Sequence, residues 1–482
     1  MHYKRCIMIL ADGARADCME QLLAQGALPN IARHIVQPGA YRRGVTVFPS
    51  TTGPAYMPFL TGCLPGTCNV PGIRWMDKSK YRDDWRGVLG VNPFLGRPGL
   101  RSYVGLETFR INPDMRADIA TLFALLPQSY NIFNAVCRGV TRAHNVTAWM
   151  RIWYWYYAHL TDRWDFVDVA ATEKLRTVVR GDFEFAFVVF PGIDEYGHLD
   201  DPLGAKTLSA YQSVDRAVGL VAADLAAKGQ LDDTLWWIVS DHGLTATREH
   251  FCVNTFLEAR GLRTLYYPRV YRRNCEVANL MSGNGMTHLY FRHRDGWAGT
   301  VDYEYLAEHH GSVLTDLAAE PAVDLLAARA RSGTVRVWNR EGAAEISLTD
   351  NTVTYRALTG DPLQLLDAAH PTERCFTRED CLQQTIDSRY PDGPFLLAHL
   401  FTSSRTGDVV VSAAPGHDLR LAHEHPEHRG SHGSLHRDHM HVPIVCSAPL
   451  TAGPLRTIDV FPTTLQLLGR EIPKGIDGVI RI

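Results

Sequence analysis

Carboxylates and imidazoles recur in this chain at one kind of position, directly after a short apolar run. Asp12 follows "CIMIL", Asp194 and His198 follow "FAFVVF", and Asp241 and His242 follow "WWIVS". A further run, "VTVF", leads into "FPSTTGPAY", which sets Ser50, Thr51 and Thr52 between Pro49 and Pro54. Asp and His are the ligand types of zinc-like divalent ions, and a hydroxyl beside such an ion can become a nucleophile. Each piece alone is ordinary. A lone Asp after a strand is commonly a cap or turn residue, Asp-x-x-x-His spacing on a helix arises by chance, and three hydroxyls between prolines make a polar turn. Their repetition at equivalent positions points to a metal site.

The elements that must deliver these side chains are short buried strands alternating with amphipathic helices. Strands are expected at 5–10, 44–48, 183–190, 234–239, 408–413 and 442–446. Helices fit 16–25, 203–228 and 459–469, the last closed by Gly469. The pattern predicts an α/β fold: a doubly wound, mostly parallel sheet with helices on both faces. In such sheets ligands bind beyond the carboxyl ends of the strands, where these donors fall.

Two stretches break the rhythm and read as inserted cap regions. Residues 70–165 are rich in Arg, Trp, Tyr, Gly and Pro, and residues 256–395 contain an alternating, meander-like patch around "TVRVWNREGAAEISLTDNTVTYRAL". The catalytic core is then 1–69, 166–255 and 396–482.

Composition narrows the function classes. The chain has 482 residues, 45% hydrophobic and 21% charged, with a formal net charge of −3. No basic surface argues for nucleic acid, and no uncharged apolar run reaches the about 18 residues of a membrane span. The apolar stretch from Cys6 to Ala11 is shorter than the core of a signal peptide, so a cytoplasmic location is expected. Ten cysteines occur without a C-x-x-C pair. Free thiols are the expectation, with a Cys375–Cys381 disulfide disfavoured.

"LADGARAD", "FPSTTGPAYMPFLTGCLPG", "FPGIDEYGH", "SDHGL" and "RGSHGS" resemble, in order, the metal motifs of the alkaline phosphatase superfamily. The likeness is greatest to its type I phosphodiesterase/nucleotide pyrophosphatase branch, and "RTIDVFPTTLQLLGREIPKGIDG" resembles that branch's terminal segment. The resemblance implies two Zn2+ ions, with manganese as the alternative. One would be held by Asp12, Asp241, His242 and the nucleophile Thr52, the other by Asp194, His198 and His432. Two divalent ions balance three carboxylates and one ionised threonine, so an anionic phosphate can approach. Thr52, rather than Thr51, sits in the family's register relative to Pro49 and Pro54. Of the histidines between His417 and His441, His432 lies in the family-like "SHGS"; His428 and His436 are candidates for supporting or substrate contacts.

The implied reaction is hydrolysis of a phosphoric diester, a small-molecule or nucleotide-like substrate, through a phosphothreonine intermediate. The alternatives are a phosphomonoesterase, a phosphonate hydrolase, or an inactive homologue that binds zinc or a phosphorylated ligand. Ala55 stands where nucleotide pyrophosphatases carry an asparagine, which weakens the nucleotide expectation. A sulfatase reading of "CLPGT" at Cys63 fails because the arginine of that modification motif is absent. The segment 149–164, dense in Trp and Tyr, reads either as a packing element or as a stacking or lipid-contacting surface over the site.

Overall fold

The computed structural model describes residues 3–90, 97–420 and 427–482. Its main sheet contains, in chain order, β1 (Arg5–Ala11), β2 (Ala40–Val45), β3 (Ser129–Ile132), β4 (Phe185–Phe190), β5 (Thr234–Val239), β6 (His441–Cys446) and β7 (Leu455–Arg456). The spatial order is β7-β2-β6-β5-β1-β4-β3. Strands β3, β4, β1 and β5 are mutually parallel, and β2 pairs β7 in parallel, while β6 runs antiparallel to both β5 and β2. Every residue of β4 and β5 is buried, as strands covered by helices on both faces must be. The continuous apolar runs that predicted them follow from that double coverage. The helices Ala16–Ala24, Ala205–Ala227 and Val460–Leu467 form where expected, and Gly469 adopts the left-handed conformation after the last.

A second sheet of nine strands, nearly all antiparallel, is built mainly from residues after 260. Its meander Val335–Asn339, Gly342–Thr349 and Thr352–Gly360 is the predicted one. Two features depart from the expected division into core and inserts. Strand β3, from within 70–165, is the edge strand of the main sheet beside β4. Conversely Val409–Ala413, expected in the core, pairs with Met286–Phe291 and Val323–Arg329 in the second sheet. An apolar run signals burial but does not name its sheet, because strand pairing is set by distant sequence.

Cys375 is exposed whereas Cys381 is buried, and the two are not joined in a disulfide. Among the described residues no helix is long and apolar enough to cross a membrane.

Candidate metal and phosphate site

Parallel register brings the predicted donors to one level. Ala11 pairs with Phe190, and Leu10 with Val239, so Asp12, Asp194 and Asp241 emerge together beyond β1, β4 and β5. Because β6 is antiparallel, its start lies at this same edge, and the loop leading into it carries His432. Asp194 and His198 occupy successive turns of the helix Gly192–Leu199, with Oδ1 and Nε2 3.3 Å apart. Gly13 permits this convergence: it has φ +72°, and a Cβ there would lie 2.8 Å from the Asp194 Cα.

The three histidines are oriented alike. Each points Nδ1 at a backbone carbonyl: His198 at Gly430 (2.7 Å), His432 at Ser50 (3.0 Å) and His242 at Gly243 (3.2 Å). A carbonyl accepts, so Nδ1 carries the proton and Nε2 is left as a lone-pair donor, the tautomer a metal ligand needs. The His242 Nε2 lies 3.1 Å from both the Asp241 Oδ2 and the Thr52 Oγ1. Ligand atoms of Asp194, His198 and His432 lie within 4.8 Å of one another, and so do those of Asp12, Asp194 and His242. Asp194 therefore belongs to both groups.

The electrostatics favour cations here. Asp12 Oδ1, Asp194 Oδ1 and Asp241 Oδ2 are buried without a hydrogen-bond donor, a costly arrangement unless a positive charge faces them. Burial, then the neighbouring Asp241 and Asp194, push the Asp12 carboxyl well above the ordinary range. Burial opposes ionisation of Asp194 too, but His198 beside it holds it well below that range. Burial and His242 keep His432 neutral. Three carboxylates, three imidazoles presenting Nε2 and the orphaned oxygens are a donor set suited to divalent metal.

The three hydroxyls are placed differently. Ser50 is fully buried and donates to the Ser434 carbonyl at 2.9 Å. Thr51 is also fully buried. Thr52 is the partly exposed one, with its hydroxyl against His242. It precedes Gly53, whose φ of +90° turns the chain into the short helical segment Pro54–Thr61.

Thr52 opens onto a cavity of about 260 Å³. Sequence reasoning missed Tyr56 and Arg151 among its lining residues. Tyr56, one turn beyond Thr52, donates to the Asp12 Oδ2. Arg151 and Trp155 enter from the helix Met150–Thr161, the Arg151 guanidinium lying 4.0 Å from the Trp155 ring centroid. One face of that helix closes the cavity, while Trp153, Tyr156, Tyr157 and Leu160 are exposed on the other.

Other expectations sort as follows. His428 lines the cavity and stacks on His198 at 4.5 Å, whereas His436 caps the short helix Arg437–Met440. His423 and His425 lie outside the described residues. Ala55 does not border the cavity: it is fully buried in an apolar cluster with Phe48 and Leu64. The alanine methyl itself therefore packs in the core and makes no contact with the cavity.

A family profile described as "Type I phosphodiesterase / nucleotide pyrophosphatase" matches residues 6–435. Among solved structures, an inactive variant of murine ectonucleotide pyrophosphatase/phosphodiesterase 5 in complex with AMP aligns with TM-score 0.55 and 11% identity, over 98% of this chain and 96% of that one. Phosphonoacetate hydrolase from Sinorhizobium meliloti 1021, in complex with phosphonoacetate, aligns with TM-score 0.57 and 13% identity, over 97% and 96%. At such identities the likeness speaks for the fold. No curated protein matches the chain.

Proposed function

This chain belongs to the type I phosphodiesterase/nucleotide pyrophosphatase family of phosphoester hydrolases, and from that premise we propose that it cleaves phosphoric diesters through Thr52 at a two-zinc site. Asp12, Asp241, His242 and Thr52 would hold one ion, and Asp194, His198 and His432 the other. When bound, such ions supply Lewis acidity and lower the pKa of a hydroxyl or water set against them.

The protein's own part follows from the geometry. Thr52 Oγ1 attacks phosphorus as the bond to the leaving alkoxide breaks, giving a phosphothreonine diester-derived adduct and a free alcohol. Water then attacks the same phosphorus, the bond to Oγ1 breaks, and the Thr52 hydroxyl is restored with release of a phosphomonoester. Tyr56 holds Asp12 by its hydroxyl, and the carbonyls of Gly430, Ser50 and Gly243 fix the three imidazoles. Such outer contacts hold ligands in place.

The observation that carries the proposal is the Thr52 hydroxyl 3.1 Å from His242 Nε2, within a cluster of buried, undonated carboxylate oxygens. The test is hydrolysis of bis-p-nitrophenyl phosphate against p-nitrophenyl phosphate, with zinc and after chelation. The diester is expected to be preferred, with activity lost on chelation and in Thr52→Ala but retained in large part by Thr51→Ala. Preference for the monoester, or loss confined to Thr51→Ala, would overturn it; inactivity of the zinc-loaded protein on every ester would favour a binding role.

A further inference from the structure

We infer that His439 is the positioning residue of this site, a clamp that ties the loop carrying His432 to the loop carrying Asp241 and His242. The inference rests on the metal-dependent reading of the site and names the group that sets the spacing of its ligands.

His439 lies on the short helix Arg437–Met440 and is buried. Its Nδ1 faces the backbone N–H of Ser434 at 3.2 Å and the Ser434 hydroxyl at 2.7 Å, and its Nε2 faces the Thr245 hydroxyl at 2.7 Å. A backbone N–H can only donate, so Nδ1 accepts, and the ring proton sits on Nε2 and is donated to Thr245. This is the opposite tautomer to that of His198, His242 and His432. Those three keep Nε2 for a metal, whereas His439 uses both nitrogens on the protein. Burial, then His436, hold its pKa well below the ordinary value, so the ring stays neutral, as two donors at Nδ1 require.

Its partners lie on the two ligand-bearing loops. Thr245 follows closely on His242, and the main chain of His439 adds a second tie to that loop, its carbonyl accepting the Gly243 N–H at 2.8 Å. The Gly243 carbonyl is the group that orients His242. Helix and loop touch backbone to backbone, since a Cβ on Gly243 would lie 2.1 Å from the Asp438 carbonyl oxygen. On the other side Ser434 lies just past His432, and its carbonyl accepts the Ser50 hydroxyl at 2.9 Å. The Ser50 carbonyl in turn orients His432. One residue thus stands behind the carbonyls of two histidines that the proposed function gives to different ions. The strand pair Gly430–Ser431 and Thr245–Ala246 joins the same loops ahead of His432. His439 joins them behind it, so His432 is held from both sides. Paired ions act on attacking and leaving oxygens only at a separation of about 3.5–4 Å, and that separation is what such a tie controls.

The test is Co2+ titration of the full chain followed by visible absorption, beside urea unfolding and hydrolysis of bis-p-nitrophenyl phosphate. His439→Gln keeps a donor toward Thr245 but leaves Ser434 without its acceptor. It is expected to weaken Co2+ binding about 10- to 100-fold, as loss of a group that orients ligands does, and to shift the Co2+ absorption bands. His439→Asn returns an acceptor to the Nδ1 position and should recover most of the affinity. Ser434→Ala should weaken binding as well and add little to His439→Gln, because both cut the same tie. Thr245→Val removes one hydroxyl and should weaken Co2+ binding in the same direction; it decides the matter if His439→Gln does not fold. Stability lost with native Co2+ affinity and native bands in His439→Gln and Thr245→Val marks His439 as a packing residue and overturns the inference. An active chain whose variants bind Co2+ normally sinks the clamp alone. A native chain inactive on the diester, with Co2+ binding still weakened by His439→Gln, sinks the diesterase reading alone.

Discussion

Gly13→Ala isolates the contact that brings the metal ligands together. An alanine Cβ at this position would lie 2.8 Å from both Cα and Cβ of Asp194 and 2.9 Å from its Oδ1. Ordinary contact begins at 3.4 Å, so Asp194 or the loop after β1 must move by about 0.6 Å. The atoms met are backbone and the root of a side chain, which do not swing away. A misplacement near 1 Å costs about 100-fold in rate, so kcat/KM on bis-p-nitrophenyl phosphate should fall about 10- to 100-fold even at saturating zinc. Zinc affinity should weaken as well, since Asp194 belongs to both donor groups. Backbone strain is a separate contribution, because φ is +72° and the left-handed region costs a residue with a Cβ about 1–2 kcal/mol. Gly26→Ala supplies the control: φ is +71° but nothing lies within 4 Å of its Cβ. That variant should lose comparable stability and keep its activity. Both variants are read by zinc titration of kcat/KM and by denaturant unfolding. Native zinc affinity and native kcat/KM in Gly13→Ala would refute the reasoning, since the edge would then not be constrained by this approach.

Tyr56→Phe removes the hydroxyl that donates to Asp12 and should lower kcat/KM or zinc affinity about 10- to 100-fold, with unfolding free energy measured alongside. Arg456→Ala strands the Asp392 carboxylate, which is fully buried and pairs with that guanidinium at 2.6 and 2.8 Å; a loss of about 3–5 kcal/mol is expected by urea denaturation. Arg481 holds the Glu379 carboxyl down at about 2, below its ordinary 4.5. A depressed carboxyl contributes stability above the unfolded pKa and loses it as pH falls toward the folded one. Stability should therefore decline between about pH 4.5 and 2, and Glu379→Gln should make that limb shallower; the side chain is 44% exposed, so the effect is small.

The parts of the fold visible in the sequence are those that local burial dictates. Strands β1, β4 and β5 read as unbroken apolar runs because helices cover both faces. Strand β3 has the sequence "SYNI" and spends its Asn131 side chain on the Asn134 carbonyl and the Asn145 side chain. Nothing in so short and polar an edge strand distinguishes it from the surrounding loop. Val409–Ala413 was visible as a strand, but its partners Met286–Phe291 and Val323–Arg329 lie far away in sequence. Likewise the Asp and His donors stand at fixed offsets from strand ends and could be located. Arg74 and Arg151 lie in the irregular 70–165 region, and only the folded chain carries them to the cavity.

The wall and the chemistry are nevertheless mechanically joined. The hairpin between Val277–Ser282 and Met286–Phe291 turns at Gly283 and Asn284, both with positive φ. A Cβ on Gly283 would meet His432 Nδ1 at 2.7 Å, and Asn284 forms a β-bridge with His432. His432 in turn directs that nitrogen at the carbonyl of Ser50, two residues before Thr52. Ser282, at the end of the first hairpin strand, accepts the N–H of Ile73 next to Arg74. One tight turn of the second sheet thus touches the His432 loop, which holds the threonine loop, and the strand that carries Arg74. A displacement of that turn would disturb the nucleophile's support and the cavity wall at Arg74 together. That hairpin therefore cannot be displaced without disturbing the support of the reaction.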